Sequence, residues 1–127
     1  MNISTKTKIF LVAISTFLFA MVAVNARATY GAKISVDEPQ YLLSALSIIE
    51  DGDLDISDEL DERRYWPYHP LKLSQQTIDL TEGGQRVSPH DPLLPLLLAL
   101  PMGIGGWLAA KVALAMIASL TAAATAW

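Results

Sequence analysis

Two long apolar runs enclose a polar middle. Ile9 to Ala26 reads IFLVAISTFLFAMVAVNA, 18 residues without a charge. At 1.5 Å per residue that is about 27 Å of helix, against roughly 30 Å of bilayer hydrocarbon, and it predicts a first transmembrane helix over 9–28. The C-terminal third is apolar but interrupted. Leu93 to Met102 (LLPLLLALPM) is too short to span and carries Pro95 and Pro101, which predicts an interfacial helix over 93–102. Gly103, Gly105 and Gly106 then form a joint. Trp107 to Trp127 gives 21 residues with Lys111 as the one charge, long enough for a second transmembrane helix. Lys111 lies near one end of it, where its stem can snorkel, and Trp107 stands at the level of an aromatic belt.

Between these runs the periodicity changes. Val36 to Glu50 (VDEPQYLLSALSIIE) places Tyr41, Leu42, Ala45, Leu46 and Ile49 at helical spacing. Asp37 is the expected N-cap, Pro39 falls in the first turn, and Glu38 complements the positive helix end, so a helix is predicted near 37–50. Asp51-Gly52 ends it. Asp53 to Glu62 (DLDISDELDE) reads as an acidic connector with room for a further helical turn. Tyr65 to Leu73, aromatic and proline-rich, reads as extended. Glu82-Gly83-Gly84 reads as a turn with a strand or loop on each side. The expected fold class is an all-α membrane protein, two transmembrane helices flanking an extracytoplasmic loop with short juxtamembrane helices.

Charge sharpens this picture. The chain of 127 residues carries a net −4, and all 13 acidic residues lie between Asp37 and Asp91. From Tyr30 to Pro92, five basic residues stand against them, a net of −8, while the flanks hold only Lys6, Lys8, Arg27 and Lys111. Nucleic acid is a poor partner for a polar region so acidic. Lys6 and Lys8 before the first run put residues 1–8 in the cytoplasm by the positive-inside rule, and the loop 29–92 outside. A second reading of the same segment is a cleaved signal peptide, since Ala26-Arg27-Ala28 fits a small-x-small site. Both readings export the middle. The sequence ends at Trp127 within an apolar run, and the expectation is a piece of a larger multi-span protein in the cytoplasmic (inner) membrane. The absence of cysteine excludes a disulfide scaffold and a cysteine-ligated zinc site.

Motifs for chemistry are sparse. Asp37 and Glu38 are adjacent carboxylates at a helix start, a few residues beyond a span; a cap plus a dipole-matched acid accounts for such a pair without any chemistry. The acidic run from Asp51 to Glu62 invites calcium, yet it lacks the glycine and distal glutamate spacing of an EF-hand, and the expectation is a solvated face with no metal site. His69 and His90 stand in no zinc-ligand pattern, although either would complete a metal site with Asp37 if folding brought them together. There is no GxSxG, P-loop or GxGxxG.

The order of these features resembles the start of an integral-membrane glycosyltransferase of the GT-C superfamily, the group of the protein O-mannosyltransferases and the aminoarabinose transferase of lipid A modification. The resemblance rests on the basic N-terminus with its first span (Lys6 to Ala26) and on Val36-Asp37-Glu38-Pro39-Gln40-Tyr41-Leu42 opening a helix beyond it. It rests further on the Glu50-Asp51-Gly52-Asp53 step, and on Ser88-Pro89-His90-Asp91-Pro92-Leu93-Leu94-Pro95 leading into an apolar helix. It covers nearly the whole chain, but only the first outer loop and two spans of a family that usually has many more.

The resemblance implies a polyprenyl-phosphate sugar donor and a membrane-lipid setting. It implies that Asp37 is the general base taking the acceptor hydroxyl's proton, with Glu38 positioning Asp37 or the acceptor, or helping to bind a divalent metal in members that use one. His90 would orient acceptor or phosphate, and Lys111 would be a counter-charge for the lipid phosphate, its alternative being a snorkelling lysine. Other spans would supply the rest of the donor site, so the present chain alone is expected to be inactive. A non-enzymatic two-span protein, whose acidic ectodomain binds a partner or cations, is the competing reading.

Overall fold

The computed structural model describes residues 4–27, 31–34, 36–74, 76–79 and 84–127. Ala28, at the expected end of the first span and of the small-x-small step, and Glu82 and Gly83 of the expected turn lie outside the described residues. The chain is mostly helical: α1 (Thr5–Ala23), α2 (Glu38–Glu50), α3 (Ser57–Asp61), β1 (Ile78–Asp79), β2 (Arg86–Val87) and α4 (Leu93–Thr125). Two of these, α1 and α4, are long and apolar enough to cross a membrane. The contacts divide the chain into two units, one of Met1–Ala26 with Lys111–Trp127 and one of Arg27–Ala110.

In the first unit, α1 begins four residues before the uncharged run and so takes in Lys6 and Lys8. Ser4 caps it, its hydroxyl accepting from the Thr7 N–H at 3.2 Å. The helix ends at Ala23 rather than near residue 28. There the Val24 N–H turns to Met21 O and the Ala26 N–H to Ala23 O, three-residue bonds that tighten and close the last turn. No α1 side chain is buried. The Ser119 hydroxyl donates to Ala13 O at 2.8 Å, tying the final stretch of α4 to α1. Small side chains, Ala20, Ala23, Ala115 and Ala118, line a cavity between them together with Val24, Lys111 and Leu114. Small residues and polar side chains bonded across helices are how membrane helices associate when water supplies no driving force.

The second unit holds the core. Helix α2 is more buried than its apolar spacing predicts: Gln40, Ser44 and Ser47 are enclosed along with Leu42, Leu43, Ala45 and Leu46, while Ile49 is 42% exposed. The same unit also buries Ala32, Ile34, Ile56, Tyr65 and Tyr68, and the face Leu98, Ala99 and Met102 in the first half of α4. That face follows i, i+1, i+4 spacing, hidden in the sequence because its neighbours are also leucines.

The three glycines of the expected joint divide their tasks. Gly103 stays helical, and a Cβ added there would lie 2.9 Å from Ile49 Cγ1, so its bare backbone admits α2 at close range. Gly105 (φ −145°, ψ 20°) and Gly106 (φ 62°, ψ −156°) leave the helical region and break α4 into two. Gly106 takes a conformation that side-chain-bearing residues avoid. Nearby, Lys33 Nζ sits 4.7 Å over the Trp107 ring.

One expectation for the loop is met and one needs correction. Short strands stand on each side of residues 82–84, a small addition to a mostly helical chain: Ile78 pairs with Val87 and Asp79 with Arg86 in a two-stranded antiparallel ladder, with a further bridge from Asp55 to Val87. And Tyr65 to Tyr68 is not extended. Trp66 N bonds Arg63 O, Tyr68 N bonds Tyr65 O and His69 N bonds Tyr65 O, a succession of turns that folds Tyr65 and Tyr68 inward. Burying two aromatic side chains outweighs the extended preference of the flanking prolines.

Candidate functional site

Asp37 occupies the residue before α2, but its carboxylate makes no cap bond, and its backbone (φ −89°, ψ −17°) is already helical rather than β-like. Its carbonyl instead receives the Gln40 and Tyr41 N–H groups. The expected side-chain cap is therefore absent, and the carboxylate points elsewhere: Oδ1 lies 3.9 Å from His90 Nε2. That is ion-pair range and too long for a hydrogen bond. Both groups are partly enclosed, His90 at 21% and Asp37 at 45% side-chain exposure.

His90 is held from two sides. Its ring stacks on Tyr41, one turn into α2, with centroids 4.9 Å apart and 29° between planes. Nε2 lies 3.2 Å from Gln76 Oε1. With the amide oxygen as acceptor, Nε2 is the protonated nitrogen, and the ring turns an N–H toward the side where the Asp37 carboxylate stands. Prolines on both sides of Ser88-Pro89-His90-Asp91-Pro92 limit the backbone that carries the ring, and the Asp91 carboxylate caps α4 by accepting the Leu93 N–H at 2.8 Å.

The approach to Asp37 is strained. Val36 has φ 61°, the left-handed region, where a β-branched residue is an outlier costing about 1–3 kcal/mol. The strand of chain before it is pinned by the Lys33 and Ile34 N–H groups, both donating to Tyr68 O, and by His69 Nδ1 at 2.8 Å from Ile34 O. His69 is thus a structural tie and does not join Asp37. Gln40, fully buried, donates from Nε2 to Ser74 O at 3.3 Å and holds the segment that leads to Gln76.

Of the sequence candidates, Asp37 and His90 are brought together. Glu38 lies exposed in the first turn of α2. Lys111 belongs to the other unit, where it lines the small apolar cavity described above. Tyr41 entered the sequence reading as part of an apolar face and of the motif opening α2, with no role at the site, and Gln76 was not singled out at all. No spacing rule links Gln76 to His90, fourteen residues on.

The acidic run is also different from a solvated face. Ser47 Oγ lies within bonding distance of Asp53 O, Asp53 Oδ1 and Asp55 O. Burial raises the Asp55 carboxyl, but hydrogen bonds from the Ser57 hydroxyl and from the Arg86 and Ser57 amides outweigh it and hold the group below its ordinary value. Glu59 is 1% exposed, and burial pushes its carboxyl up to about 8. Its immediate carboxylate neighbours are Asp51 and Asp58. Arg64 bridges to Glu50 at 2.7 Å and Arg86 to Asp61 at 2.7 Å, fastening both ends of the connector.

No protein-family model, curated protein or solved structure matches this chain.

Proposed function

We propose that the chain is the opening part of a GT-C-type membrane glycosyltransferase that moves a sugar from a polyprenyl-phosphate donor to an acceptor outside the cytoplasmic membrane, with residues 1–8 inside. The observation that carries the reading is the meeting of Asp37 with His90 at the edge of the buried core. The Asp-Glu motif and the Ser-Pro-His element were read as parts of one site on resemblance alone, and they are neighbours in the fold.

In this reading the Asp37 carboxylate accepts the acceptor hydroxyl's proton while that oxygen attacks the anomeric carbon. The bond from that carbon to the phosphate oxygen breaks, its electron pair leaves with the polyprenyl phosphate, and the configuration inverts. His90, stacked on Tyr41 and set beside Asp37, exchanges its Gln76 partner for the acceptor or a phosphate oxygen and so orients it. Glu38 positions the acceptor. Lys111, a cation in an apolar helix, serves a lipid phosphate.

The test uses the full gene product in membranes, supplied with radiolabelled polyprenyl-phosphate sugars. Asp37→Asn is expected to abolish transfer, a loss of about 10²–10⁴-fold, with expression and insertion unchanged. Wild-type turnover in Asp37→Asn would remove the base from this scheme.

A further inference from the structure

Three carboxylates converge where α2 ends and α3 begins. One ligand oxygen each from Asp51, Asp58 and Glu59 lies within 4.8 Å of the others. Asp51 and Asp58 are exposed, so as an acidic patch they would need no explanation. Glu59 is different. It is 1% exposed, and neither of its carboxylate oxygens has a hydrogen-bond partner. Protein carboxylates are withdrawn from water with hydrogen bonds, a paired cation or a metal; neither Glu59 oxygen has a hydrogen-bond partner, and burial beside Asp58 and Asp51 disfavours its charged form unless a cation is bound.

The surroundings show what is missing. Arg64 is the cation at hand, but its guanidinium is committed to Glu50 and Glu62, and only its backbone N–H reaches Glu59, at the main-chain carbonyl. The Tyr68 hydroxyl, also buried, has no partner either, and Glu59 is one of the charges acting on it. Asp51 is raised above its ordinary value by desolvation and by repulsion from Asp58, Asp53 and Glu50. Arg64 offsets only part of this repulsion.

We propose that Asp51, Asp58 and Glu59 bind a hard divalent cation of the Ca²⁺ type, with Glu59 as the buried inner ligand. Two oxygens bound to one Ca²⁺ at about 2.3–2.6 Å can lie no more than about 5 Å apart, and the three carboxylates meet that limit. An all-oxygen, all-carboxylate donor set selects Ca²⁺ or Mg²⁺ over the softer zinc and copper. Gly52, left-handed at φ 81°, turns the chain sharply out of α2 just after Asp51, and the exposed side of the cluster leaves the remaining ligand positions to water. This site is separate from the Asp37–His90 pair and does not depend on the transferase reading.

The experiment is calorimetric titration of the full chain in detergent micelles with CaCl₂ after removal of metal by chelator, alongside thermal unfolding. One Ca²⁺ per chain is expected, with a dissociation constant of about 10⁻⁴–10⁻³ M, the range of extracellular modules with few ligands. The melting temperature should rise by several degrees at saturating Ca²⁺. Asp51→Asn and Asp58→Asn, both at exposed positions and so compatible with folding, should each weaken binding at least tenfold. Glu62→Gln, exposed and outside the cluster, should leave it unchanged. Absence of binding would overturn the proposal, as would wild-type affinity in both cluster variants. Stabilisation matched by NaCl at the same ionic strength would overturn it too, since screening and not a site would then be at work.

Discussion

Asp37 Oδ1 stands 3.9 Å from His90 Nε2, with the His90 ring lying on Tyr41 and its Nε2 against Gln76 Oε1. A carboxylate at the start of one helix thus faces an imidazole just before another, and neither is used to cap its helix.

If the two residues act on one reacting hydroxyl, their effects should not add. His90→Gln is expected to slow transfer about tenfold in an otherwise intact enzyme. In an Asp37→Asn background the same change should cost little further, because the step it assists is already lost. Initial rates for the four proteins in membranes close the cycle; independent, fully additive losses would mean that His90 serves a different step. Glu38→Gln should cost less than Asp37→Asn.

Gly103 is a position where size alone decides. An added Cβ would meet Ile49 Cγ1 at 2.9 Å, so Gly103→Ala should destabilise by about 1–3 kcal/mol despite alanine's better helix propensity. Ile49→Ala in the same chain should recover part of that loss by vacating the contact. Denaturant or thermal melts of the single and double variants in micelles measure both terms, and a stabilising Gly103→Ala would contradict the close approach.

Asp55 predicts a pH dependence of known sign. Hydrogen bonds from Ser57 and Arg86 keep its folded-state pKa below the ordinary 3.8. The stability it contributes is therefore fully present above the unfolded value, near pH 4, and is lost as pH falls through the lower folded value. Asp55→Asn should unfold more easily at neutral pH by about 1.5–3 kcal/mol. Its deficit relative to the wild type should shrink on acidification below pH 4, read from melts at successive pH values.

Tyr68 offers the opposite case. Its hydroxyl is buried without a hydrogen-bond partner, and burial raises its pKa well above the phenolic range. Tyr68→Phe keeps the ring and deletes the unsatisfied group, so stability should be unchanged or increased by up to about 1 kcal/mol. A loss of more than about 1 kcal/mol in thermal melts would show that the hydroxyl is satisfied in solution.

Ser119→Ala removes the hydroxyl that reaches Ala13 O at 2.8 Å. The expected cost is small, about 0.6 kcal/mol, because a serine in a separated membrane helix bonds its own backbone instead. Reversible unfolding in mixed micelles measures it, and a cost of several kcal/mol would be inconsistent with an ordinary interhelical bond.

The helices were legible in the sequence because their signals are local. A long uncharged run, Pro39 beside an acidic pair, and Asp51-Gly52 after an apolar periodicity each act within one or two turns. Gly106 as the break in α4 follows from the same kind of local rule. What was not legible depends on distant partners. Nothing near Glu59 in the chain marks it as buried, since DLDISDELDE has the composition of a solvent-facing connector. Its enclosure is a tertiary effect, in a unit that also buries Ile56, Tyr65 and Tyr68. The turns over Arg63 to His69 were missed for a related reason: tyrosine burial, a tertiary effect, overrode prolines that favour extension. Within the candidate site, Asp37 and His90 were legible as residue types, whereas Tyr41 and Gln76 as their supports were not, because ring stacking and an amide bond across the loop leave no periodic trace.

The ties from Lys33 and Ile34 to the Tyr68 carbonyl, and from His69 to the Ile34 carbonyl, have a consequence for the order in which the molecule assembles. His69 bonds Ile34 across 35 residues, so the stretch leading to Asp37 takes its native course only after the chain beyond α3 has been made and has closed back on it. Helix α2, with its local signals, needs no such wait. Loop closure over that length is entropically costly before it is rewarded, which places it late relative to helix formation. A chain emerging during synthesis will therefore carry a formed α2 with Asp37, the residue before it, unplaced, and the carboxylate will meet the imidazole only when the start of α4 has followed.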